Sequence, residues 1–266
     1  MRIAPALTAS CLLLALAAPA SAQIVNVQPL VTRADTEGFQ GELTGSLTLQ
    51  TGNTELFLVN GGLLALYGHG IHRLISSSAA SVGYRGGING ESRFMQRLFT
   101  HLRWQVRMPR LVTWETYAQV AQDRFRRLSL RVLGGTGPRF DLIEGPAVSL
   151  ALGISYMLEH ERLSQTELSG GGVEPAREET NHRASLYLSA RFIIDPIFSL
   201  IHTSYFQPLL TDPFGDFRFS SETGLAIGIT KTVSLAVTFS VAYDSDPPVE
   251  VRKTDTTTDV KLAVAF

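Results

Sequence analysis

Three groups of residues have types and spacings that can support chemistry. His202-Thr203-Ser204 sets an imidazole and a hydroxyl two positions apart, which puts both on one face of an extended strand. A serine nucleophile also needs a group that orients the histidine, and donors for an oxyanion. The only carboxylates nearby, Asp212 and Asp216, fall in a turn-rich stretch, so a polar wall position is expected and catalysis is not. His160 and His182 flank a glycine- and glutamate-rich segment, with Glu159 and Glu161 beside the first. That spacing matches no metal-ligand motif, and neither a metal nor a cofactor is expected. Gly134-Gly135-Thr136-Gly137 lacks the following helix that a phosphate loop requires, and Pro138 points to a turn.

A charged interior is the stronger lead. Arg97, Arg103 and Arg107 recur with even spacing on one face of a fourth strand, Glu115 and Asp123 share the matching face of a fifth, and Arg127 and Arg131 that of a sixth. These seven residues are expected to line a lumen as a basic wall with carboxylates between. Small residues face them elsewhere, in Ala147, Ser149, Ala151, Gly153 and Ser155, and again in Ser234, Ala236, Thr238, Ser240 and Ala242.

The elements that carry these residues read with period two. From Phe39 to Leu49 the odd positions are apolar or glycine and the even ones polar, the pattern of a strand with one apolar face. The alternation returns around 98–106, 148–158, 184–192, 225–229, 233–243 and 260–266, with turn formers between, giving about twelve strands and no convincing helix. Several runs reach the ~9 to 11 residues needed to cross a bilayer, whereas sandwich strands are typically ~5 to 6. The fold class is therefore all-β, a transmembrane antiparallel up-and-down barrel over residues 38–266, with an exported soluble β-sandwich binding protein as the alternative. Long connections after odd strands, above all residues 160–181 around Gly170-Gly171-Gly172, are expected outside and poorly ordered. Tight links at Asp195-Pro196 and Thr230-Lys231-Thr232 belong on the periplasmic side. Pairing positions that sum to 218 sets Trp104 opposite Trp114, outward at the membrane interface, and Arg103 opposite Glu115, inward. Phe266 is a third interface aromatic. It closes an alternating terminal strand of the kind expected to engage the barrel-assembly machinery.

Arg2, the apolar run Cys11 to Ala18 and Ala20-Ser21-Ala22 form a signal peptide over residues 1–22, with a short periplasmic segment at 23–37. Cys11 is the only cysteine, so the exported chain is expected to hold no disulfide. Charged residues are 18% and hydrophobic ones 44%, with mean hydropathy +0.11 and a net charge of -1. No global field attracts nucleic acid. The expected partners are outer-membrane lipid and lipopolysaccharide.

The strand leading into Gly52-Asn53-Thr54, the runs RFMQRLFTHLRW (93–104), GTGPRF (135–140), ALGISYMLEHERL (151–163), HRASLYLSARF (182–192), YFQPLL (205–210) and FRFSSETGL (217–225), and the closing residues 244–266 resemble the YdiY-type salt-induced outer-membrane proteins. The stretch Tyr67–Gly90 departs most from that pattern. The resemblance implies a Gram-negative outer-membrane barrel of a domain-of-unknown-function family and brings no catalytic residues. Lumen and resemblance together lead to the expectation of a narrow pore or a salt-responsive structural protein of the envelope, with a lipid-acting barrel enzyme as the alternative.

Overall fold

The computed structural model describes residues 37–51, 55–86, 92–195, 197–230 and 233–264. The expected signal peptide, the Gly52-Asn53-Thr54 turn and Phe266 lie outside these residues. Twelve long strands follow one another: β1 (Gly38–Gln50), β2 (Leu56–His69), β3 (His72–Arg85), β4 (Ser92–Met108), β5 (Val112–Asp123), β6 (Leu128–Glu144), β7 (Val148–Leu163), β8 (Arg177–Ile193), β9 (Phe198–Pro208), β10 (Phe217–Gly228), β11 (Val233–Asp244) and β12 (Thr254–Val264). They form one antiparallel meander in sequence order. Among the described residues no ladder joins β1 to β12. These are the edges that must meet in hydrocarbon, where unpaired backbone groups find no water.

The sheet curls because inward side chains reach one another across it. Tyr187 on β8 donates to Glu115 on β5, Arg218 on β10 pairs with Glu161 on β7, and Arg126, just after β5, pairs with Asp255 on β12. Outward positions are apolar and exposed, as Leu43, Leu63, Leu98, Val120, Val132, Ile154, Leu188 and Phe239 show. On β9 the outward Phe198 and Phe206 are eight residues apart. That is roughly 27 Å of strand, or about 20 Å of height at a ~40° tilt, near the ~25 Å apolar band of such barrels. Aromatic contacts mark the two rims. Phe206, Phe217 and Tyr243 pack in series as tilted pairs at one end, and Trp104 stacks on His72 at the other.

Connections after even strands are short: Gly70–Ile71, Pro109–Leu111, Gly145–Ala147, and residues 194–197 and 229–232. Those after odd strands include 164–176, 209–216 and 245–253. This asymmetry gives the barrel an inner end of tight turns and an outer end of larger loops.

Four sequence expectations need correction. Residues 160–181 are not a loose loop: β7 and β8 stay paired out to Leu163 and Arg177, and a small hairpin of Thr166–Glu167 with Val173–Glu174 continues beyond them. Gly171 and Gly172, with φ of 87° and 103°, make the turn at its tip. The charge of Glu159, His160, Glu161 and Arg162 hides the strand, because here both faces are polar. Gly134 to Gly137 is no turn but the middle of β6. The β4–β5 pairing is two residues from the expected one, with Trp104 opposite Thr116 and Arg103 opposite Tyr117. Its turn takes three residues, Pro109-Arg110-Leu111, with Arg110 and Leu111 at φ of 66° and 62°. A shift of two leaves every side chain on its expected face. Arg127, expected in the lumen, has φ of 64° and stands in the connection before β6, where its guanidinium donates to the carbonyl of Ser164 at 2.9 and 3.1 Å.

An epitope tag inserted between Gly170 and Gly171 should be accessible to antibody on intact cells. Labelling only after permeabilisation would reverse the orientation.

Candidate functional site: the charged lumen

The interior is organised in three layers. At the outer end, Glu159 on β7 has no exposed surface. It lies against Arg131 Nε at 2.5 Å and Arg183 Nε at 2.9 Å, and pairs with Arg218 as well. These arginines come from β6, β8 and β10, so one carboxylate ties together four strands. Each guanidinium has a further acidic partner. Arg183 forks onto both oxygens of Asp216 at 2.9 Å. Arg218 reaches Glu161 at 2.8 Å and Asp244 at 3.3 Å, and Arg131 reaches Glu161 at 3.3 Å. Forked charge-assisted contacts of this kind are the stronger class of hydrogen bond. Above this layer, outside the spanning strands, burial pulls the Arg126 guanidinium below its ordinary value, with Asp123 opposing that shift.

In the middle layer Glu115 is the common acceptor. It takes Gln105 Nε2 at 2.6 Å, the Tyr187 hydroxyl at 2.9 Å and Arg103 at 3.3 Å. Arg103 also lies over the rings of Tyr117 and Tyr187, 5.5 and 5.9 Å from their centroids, a cation–π arrangement. The Tyr117 hydroxyl meets Ser155 at 2.9 Å. Two glycines make room for these rings. A side chain at Gly135 would strike Tyr117, and one at Gly153 would strike Tyr187. Beside them His101, buried, stacks between Phe99 and Tyr117 and meets Gln119 at 3.4 Å.

The inner layer is more open. Asp141 accepts from Arg139 at 2.7 Å and from Thr113 at 3.2 Å, and Arg191 donates to Ser149 at 3.4 Å. A cavity of about 300 Å³ lies here, bordered by Arg73, Arg107, Arg139, Arg191, Asp141 and Glu144 among others.

The lumen residues named from the sequence therefore take different places. Arg103, Glu115, Asp123 and Arg131 are buried inside, Arg97 pairs with Asp123 at 3.2 Å, Arg107 borders the inner cavity, and Arg127 is outside the lumen. Trp104 and Trp114 point outward, 46% and 39% exposed. They are not opposite each other, and Trp114 donates to Thr136 at 2.9 Å. Glu159, Glu161, Arg183, Arg218 and Asp244 were missed as a set. Their shared inward parity was the available signal, but their pairing depends on the curl of the sheet.

His202 and Ser204 face outward on β9. His202 meets Ser204 Oγ at 3.0 Å and Thr223 Oγ1 at 2.8 Å, and Ser204 donates to Ser221 at 3.2 Å. The orienting partner is a hydroxyl. Asp216 is engaged by Arg183, and Asp212 caps the amide of Gly215 at 3.0 Å. Strand pairing of β9 with β8 and β10 occupies the backbone donors an oxyanion would need. His160 contacts Thr180 and Glu178, and His182 contacts Tyr156. Among the described residues no group of three or more potential ligands is placed to hold a metal.

The family model described as a protein of unknown function, DUF481, matches residues 44–266. No curated protein matches the chain. Among solved structures, the NanC porin is similar over 85% of this chain and 99% of its own, at 9% identity and a TM-score of 0.45. The translocator domain of the autotransporter NalP from Neisseria meningitidis is similar over 90% of this chain and 93% of its own, at 10% identity and a TM-score of 0.42. Likenesses this distant carry no inference about function.

Replacing Glu159 with Gln leaves three buried guanidinium groups short of a counter-charge and should cost about 3–5 kcal/mol in urea unfolding from detergent. Glu178→Gln, in an exposed pair with Arg162, should cost less than ~1 kcal/mol.

Proposed function

This chain belongs to the DUF481 family of proteins of unknown function, and from that membership and its packed interior we propose a Gram-negative outer-membrane barrel that is closed at rest. It serves the envelope as a structural component and has no enzymatic activity. The observation that carries this reading is the outer layer, in which Glu159, Arg131, Arg183 and Arg218 are buried against one another across four strands. A twelve-stranded barrel stands between eight-stranded barrels filled by side chains and porins of sixteen strands or more. Here long arginines supply the filling.

The outward apolar wall and the two aromatic rims support residence in a bilayer. Export through a signal peptide cleaved after Ala22, contact with lipopolysaccharide, assembly through the strand ending in Phe266 and a response to salt belong to the same proposal. They rest on the sequence and on the family resemblance. A second reading, a narrow channel, is favoured by the small wall of β11, where Ala236 is exposed and Thr238 and Ser240 are half-buried.

Planar-bilayer recording of the refolded mature chain separates the two. The closed barrel leaves the current at background in symmetric potassium chloride. Reproducible unitary steps in the unmodified protein would replace it with the channel reading.

A further inference from the structure

One patch in the middle of the outward wall is polar. His202 stands four positions from Phe198 and four from Phe206, the outward residues that bound the apolar band on β9. An ionisable side chain that faces lipid at this depth is costly, and such residues mark sites of function. His202 pairs across the ladder with Thr223, and Ser204 with Ser221. Two neighbouring rows of β9 and β10 thus place an imidazole and three hydroxyls on the lipid face.

The hydrogen bonds within this patch have a direction. Ser204 donates its one hydroxyl hydrogen to Ser221 Oγ at 3.2 Å, so at His202 Nε2, 3.0 Å away, it is the acceptor. The N–H of the neutral ring is therefore on Nε2, and Nδ1 accepts from the Thr223 hydroxyl at 2.8 Å. This chain uses three donors and leaves the hydroxyl hydrogen of Ser221 with no acceptor among the four residues. The oxygens of Ser204 and Thr223 keep lone pairs to accept a further bond. On another wall, Thr116 and Thr136 meet at 3.0 Å, and there the last hydrogen goes to the carbonyl of Glu115 at 3.1 Å.

We propose that the face formed by β9 and β10 docks a second copy of this chain, in a dimer whose two-fold axis runs along the membrane normal. Copies inserted by one route point the same way, so such an axis keeps every residue at its own depth. A second copy then brings an identical polar patch to the same height, and each Ser221 donates to a hydroxyl oxygen of the facing copy. This is the self-complementarity that a two-fold interface requires. Lipid tails would leave Ser221 unpaired. Association inside a bilayer has no hydrophobic driving force and depends on close packing and hydrogen bonds. Ala190, opposite His202 on β8, is small and lets the facing wall approach the imidazole. The inference rests on the bilayer residence proposed above and is independent of whether the lumen conducts.

The test is sedimentation equilibrium of the refolded mature chain in density-matched detergent over a range of protein-to-detergent ratios. A reversible dimer is expected. Ser221→Ala removes two symmetry-related contacts at once and should weaken the dimer about tenfold. His202→Leu should weaken it at least as much, and Thr116→Val, on the other wall, should leave it unchanged. The heat-modifiable gel shift of a folded barrel checks each variant, and co-flotation with vesicles reports bilayer residence separately from dimerisation. A second arm uses Val241→Cys, beside Ser221 on β11, in a chain whose only natural cysteine is Cys11. A bismaleimide should link this variant in cell membranes at twice the monomer mass, and should not link Val120→Cys. A monomer at every ratio, a dimer indifferent to Ser221→Ala, or a link to a protein of another mass would each overturn the docking of a second copy.

Discussion

A carboxylate with no access to water must be neutralised or paired, and Glu159 is paired with three arginines at once. An ion in a low-dielectric interior costs several kcal/mol unless its partners are well placed, so the strands that carry those partners are constrained together. β6 and β8 flank β7 directly, but Arg218 reaches it from β10, across the lumen. The contact exists only if the meander curls, and the curl also puts Glu161 within reach of Arg218, whose other partner Asp244 stands opposite it on the neighbouring strand β11. Outer-end closure and barrel shape are in this sense one constraint.

The middle layer solves a related problem with different materials. Glu115 and Arg103 are both buried, and their attraction is supplemented by Gln105, Tyr187 and the aromatic faces of Tyr117 and Tyr187. Such large rings fit inside only because the neighbouring strands carry glycine directly beside them, Gly135 paired with Tyr117 and Gly153 with Tyr187. A glycine and the large ring beside it on the next strand are two halves of a single packing arrangement. The inner end departs from it, with arginines outnumbering carboxylates around an open recess.

Most of the fold was legible in the sequence because lipid outside and charge inside impose a strict alternation on most spanning strands. The boundaries of β2 and β3 were not legible, because in LFLVNGGLLALYGH apolar residues stand at successive positions; the structure puts the turn at Gly70–Ile71. The other failures have local causes. Beyond the membrane both faces of a strand are polar, so the alternation vanishes and the paired arm 159–163 with 177–181 read as a loop. Turn length is set by backbone torsions at Arg110 and Leu111, which hydropathy does not encode, so the β4–β5 register slipped by two while the faces stayed right. Arg103 and Glu115 meet even so, because a long guanidinium spans the diagonal. Arg127 looked inward by parity counted back from Arg131, and the register shift between Leu128 and Leu130 at the start of β6 breaks that count. The ring around Glu159 was invisible for a deeper reason. Arg218 lies 59 residues from it in sequence, and only the curl of the sheet brings them together.

The most direct test of this cross-lumen lock is a double-mutant cycle on Glu159 and Arg218, with each replaced by Met and stability measured by urea unfolding from detergent. A coupling energy above ~1.5 kcal/mol is predicted, in the range of close charge pairs in buried settings. Additivity within ~0.5 kcal/mol, the behaviour of independent sites, would show that β7 and β10 do not meet through these groups and would contradict the account.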